Sequence, residues 1–161
     1  MIRDRGLTVV PATVVDSGVL AALHAEAFAQ SWSVDGFAAM QRSPGVVALL
    51  AWPRGAGQTD EPAGFILYRA VADEAEILTL AVRPAQRRRG IGAALVGAAA
   101  AQLGPAGARM LHLEVARDNE AALALYHACG FRETGQRGGY YAGSGPTVPR
   151  VDALLMSLDL G

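Results

Sequence analysis

Three consecutive arginines, Arg87, Arg88 and Arg89, run directly into Gly90-Ile91-Gly92 and then into an alanine-rich stretch of helical composition. A helix start leaves backbone N–H groups without acceptors and carries partial positive charge, so arginines placed there add only repulsion unless an anion joins them. Glycines at 90 and 92 let the backbone approach such an anion with no Cβ in the way. The N–H groups of about residues 88–94 then form a nest for phosphate oxygens, to which Arg87, Arg88 or Arg89 adds charge-assisted bonds. Three adjacent side chains cannot all face one ligand, so at least one of the three arginines is solvated.

Further groups capable of chemistry follow downstream. Glu114 lies in "RMLHLEV" (109–115), which alternates with period two, and Tyr126 lies in "DNEAALALYHACG" (118–130). Taken as residues alone, Glu114 is the solvent-facing member of a strand, and Tyr126 is a core aromatic with its hydroxyl at the edge. His112 shares the strand face of Glu114 and either lines the same site or packs, whereas His127 is expected in solvent. Cys129 is the single cysteine. It cannot form an internal disulfide, metal-ligand spacing is absent, and a small buried role near a helix end is expected, with a catalytic thiol as the alternative. The basic residues are all arginine, which disposes of a phosphate-binding loop built on Gly-Lys-Ser/Thr.

These groups need elements to position them. "LTVVPATV" (7–14) reads as a strand and "DSGVLAALHAEAF" (16–28) as a helix, capped by Asp16 or Ser17, with Val19, Leu20, Leu23 and Ala27 on one stripe. "SVDGFAAMQR" (33–42) reads as a helix capped by Ser33, "GVVALLAW" (45–52) as a strand, and 53–62 as a hairpin loop. Residues 63–84 hold two strands that turn near Ala72-Asp73-Glu74, and Pro84 ends the second because it has no N–H for a ladder. A helix from Gly90 to about Gln102 precedes the Glu114 strand, and Asp118 or Asn119 caps the next helix, which Gly130 closes. Residues 131–141 and 150–160 form a closing hairpin around a Gly/Pro-rich loop at 142–149. This order predicts one α+β domain spanning 1–161, a mixed sheet with helices on it.

With 161 residues, 52% hydrophobic composition and a mean hydropathy of +0.24, the chain is long enough for a proper core. No apolar run approaches the roughly 18 residues of a membrane span, and the N-terminus lacks signal-peptide character, so a cytoplasmic protein without membrane association is expected. A net charge of −1 and a pI near 6.3 argue against a general nucleic-acid binder.

Two nucleotide-binding patterns compete for the glycine turn. A dinucleotide fingerprint wants Gly-x-Gly-x-x-Gly, but Leu95 stands at the third glycine, and a helix and hairpin follow instead of further βαβ units. The other pattern fits more specifically. "RRRGIG" matches the Arg/Gln-x-x-Gly-x-Gly/Ala loop of the Gcn5-related N-acetyltransferases (GNAT), with Arg87, Gly90 and Gly92 on the fixed positions. Together with "LEVARDNEAALALYHACGF", "YY" and "DALLM", it resembles the members that acetylate the N-terminal alanine of a small-subunit ribosomal protein. The resemblance is close over 74–158, and "QSWSVDGF" adds a weaker match to the family's substrate-side loop.

That resemblance implies a mostly antiparallel sheet of six or seven strands with splayed central strands and about four helices, using acetyl-CoA as co-substrate. It implies that Leu80, Ala81 and Val82 pair with the pantetheine arm and that Arg87, Arg88, Arg89, Gly90, Ile91, Gly92, Ala93 and Ala94 hold the pyrophosphate. It further implies pantetheine contact by Asn119, general-base action by Glu114 and general-acid action by Tyr126, with no metal. Trp32, Tyr140 and Tyr141 either wall the peptide cleft or simply pack. The acceptor implied is a protein N-terminus; a small amine, a lysine side chain, or a silent acyl-CoA-binding module are the alternatives. The sequence departs from the family's usual Arg-Asn-Tyr-Tyr run, where Arg137 is kept but Gly138-Gly139 precede Tyr140-Tyr141, and where the loop 142–150 lacks an acidic turn. Both departures border the acceptor side. Oligomeric state is not legible from the chain.

Overall fold

Residues 3–4, 6–54, 61–141 and 150–161 are described by the structure, a computed structural model, with backbone only for Arg3, Asp4 and Tyr141. The expected loop at 142–149 and the middle of the 53–62 loop lie outside the described residues. The strands are β1 (Arg3–Asp4), β2 (Leu7–Ala12), β3 (Val46–Pro53), β4 (Gly64–Val71), β5 (Glu74–Val82), β6 (Met110–Ala116), β7 (Arg132–Tyr141) and β8 (Val151–Asp159), of which β1 and β7 are polar and the others carry the apolar residues of the core. They make one eight-stranded sheet in the order β1-β2-β3-β4-β5-β6-β8-β7. The strand beyond the expected six or seven is the two-residue β1. Neighbours run antiparallel except β5 and β6, which are parallel. A parallel pair needs a crossover, and the helix α3 (Ile91–Leu103) supplies it.

Helices α1 (Ser17–Ala27) and α2 (Val34–Arg42) cover one face, where Leu20, Leu23 and Phe37 pack with Ala48, Leu50, Phe65 and Leu67 of the sheet. Helices α3 and α4 (Glu120–Ala128) cover the other, where Ile91, Leu95, Ala99 and Tyr126 pack with Ile66, Tyr68, Leu111, Leu113 and Val115. On α1 the buried stripe is Leu20, Ala21, Leu23 and His24, and the expected member Val19 is 36% exposed. Leu20 and Leu23 are buried as expected and Ala27 packs against the same core, while His24, one turn after Leu20, takes the remaining place in the stripe.

Strand β5 hides an irregularity behind regular alternation. Its odd residues 75, 77, 79 and 81 are all buried. Yet Ala75 and Ile77 join the α3/α4 core, while Ala81 joins the α1/α2 core. The register passes from Tyr68–Ile77 to Leu67–Thr79, so Leu78 is an extra residue, a bulge. A bulge turns the following side chains to the opposite face, and because helices cover both faces here, burial continues unbroken.

Candidate active site

Pairing between β5 and β6 comprises Glu74–Met110, Ala75–Leu111 and Glu76–His112, and it ends there. Beyond that point β5 stays paired with β4 and β6 with β8, so the two centre strands part into a gap that begins beside the Leu78 bulge. Arg83 N–H donates to Ala63 O across β4 and β5 at 2.8 Å. Antiparallel alternation then turns the peptide groups of Ala81 towards β4 and those of Leu80 and Val82 into the gap. Of the three residues expected to pair with a cofactor arm, Leu80 and Val82 therefore present backbone to it and Ala81 does not. Arg87 Nε donates to Val82 O at 3.3 Å, which ties the arginine run to the gap.

The arginine–glycine turn leaves this strand through a single 3₁₀ turn, Pro84–Gln86. Arg88 (φ 64°) and Gly90 (φ 76°) both adopt the left-handed conformation. For an arginine this costs about 1–2 kcal/mol, a strain that persists where surroundings or function demand it. Gly90 is the N-cap of α3, and the first helical bond runs from Ala94 N–H to Gly90 O at 3.0 Å. The N–H groups of Ile91, Gly92 and Ala93 consequently have no acceptor within the helix. A Cβ built on Gly90 would meet nothing within 4 Å. The turn thus offers open space, outward amides and three exposed arginines, a donor set that fits a diphosphate. Arg89 also donates to Gln86 Oε1 at 3.2 Å. Gly92 answers a different need: its missing Cβ is the space filled by Leu125 of α4, at 2.9 Å. Ile91 contributes its amide to the turn and its side chain to the core, while Ala93 is exposed and Ala94 half-buried.

Glu114 lies on β6 two residues past the last β5–β6 pair. Leu111, Leu113 and Val115 point into the α3/α4 core, so Glu114 and His112 leave the opposite face. The Glu114 side chain is 26% exposed, and its Oε1 accepts from Arg137 Nη2 at 2.7 Å. Tyr126 lies on the α3/α4 side, in that core. The end of its helix holds it there. Gly130 N–H donates to His127 O and Phe131 N–H to Tyr126 O, both at 3.0 Å, with Gly130 left-handed and the Phe131 ring 5.5 Å from that of Tyr126. This is a Schellman stop with its apolar contact. Asn119 caps the other end of α4, its Oδ1 accepting from Ala122 N–H at 3.2 Å, which leaves its amide NH₂ as the group for any ligand. The gap between β5 and β6 is therefore flanked by a carboxylate on one face and a phenol-bearing helix on the other.

The remaining expected residues have structural partners as well. Trp32 packs, with its ring 5.1 Å from His24 and 5.3 Å from Phe37. Tyr140 is 45% exposed and lies under the Arg137 guanidinium, 4.6 Å from Cζ to ring centre. Tyr141 pairs with Val151, and its side chain lies outside the described residues. His112 Nδ1 is 2.7 Å from Ser157 Oγ, and its Nε2 is 3.5 Å from Glu74. His127, half-exposed as expected, is 3.7 Å from Glu133. Cys129 is half-buried at the C-cap of α4, and burial pushes its thiol pKa up, which disfavours a reactive thiolate. Two residues went unassigned in the sequence reading. Buried His24 completes the α1 stripe, a position visible only as Leu20 plus one helical turn. Arg137 bridges Glu114 and Tyr140, and its sequence signal is its place ahead of the tyrosine pair, which the family shares.

A family model described as the Acetyltransferase (GNAT) family matches residues 19–131. The [ribosomal protein bS18]-alanine N-acetyltransferase of Escherichia coli strain K12 is 38% identical over 104 residues, which are 64% of this chain and 68% of that protein. N-alpha-acetyltransferase RimI of Mycobacterium tuberculosis is 41% identical over 95 residues, 59% of this chain and 55% of that protein. Among solved structures, the ribosomal-protein-S18-alanine N-acetyltransferase from Escherichia coli superposes with a TM-score of 0.83 at 30% identity, covering 96% of this chain and 94% of that one. The Arabidopsis thaliana NAA60 complex with acetyl-CoA superposes at 0.80 with 23% identity over 95% and 98% of the two chains, a likeness of fold.

Proposed function

The chain belongs to the acetyltransferase (GNAT) family and is an acetyl-CoA-dependent N-acetyltransferase, and from that premise we propose that it acetylates the N-terminal α-amine of a protein, a ribosomal protein beginning with alanine. The observation that carries the reading is the gap between β5 and β6 with Glu114 and Tyr126 on its two sides. The relatives named for terminal-amine acetylation support the choice of acceptor. No helix among the described residues is long and apolar enough to cross a membrane; the proposed place of action is the cytoplasm.

Acetyl-CoA supplies the acetyl group as an activated thioester. The amides of residues 91–93, with Arg87, Arg88 or Arg89, hold its diphosphate, and the peptide groups of Leu80 and Val82 together with the Asn119 amide align the arm that enters the gap. An α-amine has a pKa of about 7.7–8.0, so a modest base suffices near neutral pH. Glu114, directly or through one water, accepts the proton that the amine loses, and Tyr126 gives its hydroxyl proton to the departing sulfur. Holding amine and thioester at the gap supplies most of the acceleration.

Peptides beginning with Ala, Ser or Met, each free or blocked, incubated with acetyl-CoA and mapped by mass spectrometry, test the acceptor. Acetylation of the free alanine peptide at its α-amine is the expected result. Labelling confined to lysine ε-amines or to small amines overturns it.

A further inference from the structure

Resting on that reading, we infer that Arg137 is a positioning residue for acetyl transfer: it fixes the Glu114 carboxylate beside the gap and keeps the entering amine from being captured as an ammonium ion. Glu114 and Arg137 are two strands apart, on either side of β8. Ala153 pairs with both Ala116 and Arg137, and this small buried residue lets the arginine lie across β8 towards Glu114 Oε1, 2.7 Å away. The far side of the guanidinium rests on Tyr140.

A local distortion builds this arrangement. Between the Arg137–Ala153 and Tyr141–Val151 pairs, residues 138–140 stand opposite Asp152 alone. Gly139 is left-handed at φ 60°, and its N–H donates to Asp152 Oδ1 at 2.8 Å. The extra residues fold Tyr140 back beneath Arg137, a turn that the Gly138-Gly139 pair allows. The Arg137 side chain is 55% exposed, and an ion pair so open to water adds little to stability. Its effect falls on the carboxylate it holds.

The chemistry gives that effect a direction. Only the free amine attacks a thioester, yet a carboxylate attracts and stabilises the ammonium form. A guanidinium stays charged throughout the working pH range, and set on the same carboxylate it opposes the ammonium while leaving the neutral amine unaffected. Tyr140, on the other side of Arg137, keeps the guanidinium from swinging into the acceptor's path.

The test compares R137A, R137K, E114Q and the R137A/E114Q double variant with an alanine-start peptide at pH 7, alongside calorimetric acetyl-CoA binding. R137A is expected to lower kcat about tenfold and to lower the peptide KM severalfold, because the ammonium form is now held; this is the order of one partly solvated charge contact. Acetyl-CoA affinity stays unchanged, R137K restores part of kcat, and the double variant is no slower than E114Q. A residue that merely packs would raise KM, or would slow the E114Q background as much as the wild type, and either result overturns the inference. Wild-type rates in R137A with a slow E114Q overturn it alone, whereas a fast E114Q removes Glu114 from the proposed function as well. Should R137A melt early, R137K and R137Q carry the same comparison.

Discussion

Glu114 leaves one face of the sheet and Tyr126 lies on the helix that covers the other, and on the proposed reading they act on a single group only because the sheet is open between β5 and β6. His24 shows what burial alone does to a titratable side chain. It stacks 4.4 Å from Phe28, and its Nδ1 accepts the Trp32 N–H at 3.2 Å, a bond that needs that nitrogen unprotonated. Desolvation lowers its pKa below the ordinary 6.5. The unfolded chain therefore takes up a proton that the folded chain refuses, so this contribution to stability is complete above about pH 6.5 and is lost as pH falls through the lower folded value. Melting temperature is expected to drop between pH 7.5 and 5.5 more steeply in the wild type than in His24→Gln. Parallel slopes by calorimetry would contradict this.

At the scale of elements, the ends of α4 and the start of α3 set the site. Asn119 combines a cap with a proposed ligand contact, and two substitutions separate these roles. Asn119→Ala removes the cap and is expected to cost about 1 kcal/mol of stability. Asn119→Ser keeps a capping oxygen but lacks the amide, so near-wild-type melting with weaker acetyl-CoA binding is expected by calorimetry. Unchanged affinity in the serine variant would confine Asn119 to the cap. At the far end of β5, Arg83 pairs with Glu26 of α1 at 2.6 Å and donates to Pro62 O at 2.8 Å, which fixes one wall of the gap against the α1/α2 layer.

For the whole molecule, a ligand that binds only the folded chain, at the open centre of the sheet, raises its stability by mass action. Acetyl-CoA at a hundred times its Kd adds about 2.7 kcal/mol, which for a chain of this length raises the melting temperature by roughly 5–10 °C. NAD and ATP, which do not match the gap and the turn together, are expected to leave it unchanged. A thermal shift assay that gave no rise with acetyl-CoA would dissociate the arginine–glycine turn from the cofactor.

Chemical identity and order along the chain were legible in the residues themselves: the arginine–glycine turn at a helix start, Glu114 on an alternating strand, Asn119 and Gly130 at the two ends of one helix. Each is a local pattern, set by backbone propensity within a few residues. The tertiary structure alone decided which face Leu78 and Ala81 serve, where β5 and β6 part, and that Arg137 reaches Glu114. A one-residue bulge inverts a strand's faces without disturbing its alternation when both faces are covered, and contacts across intervening strands depend on register, which no local pattern encodes.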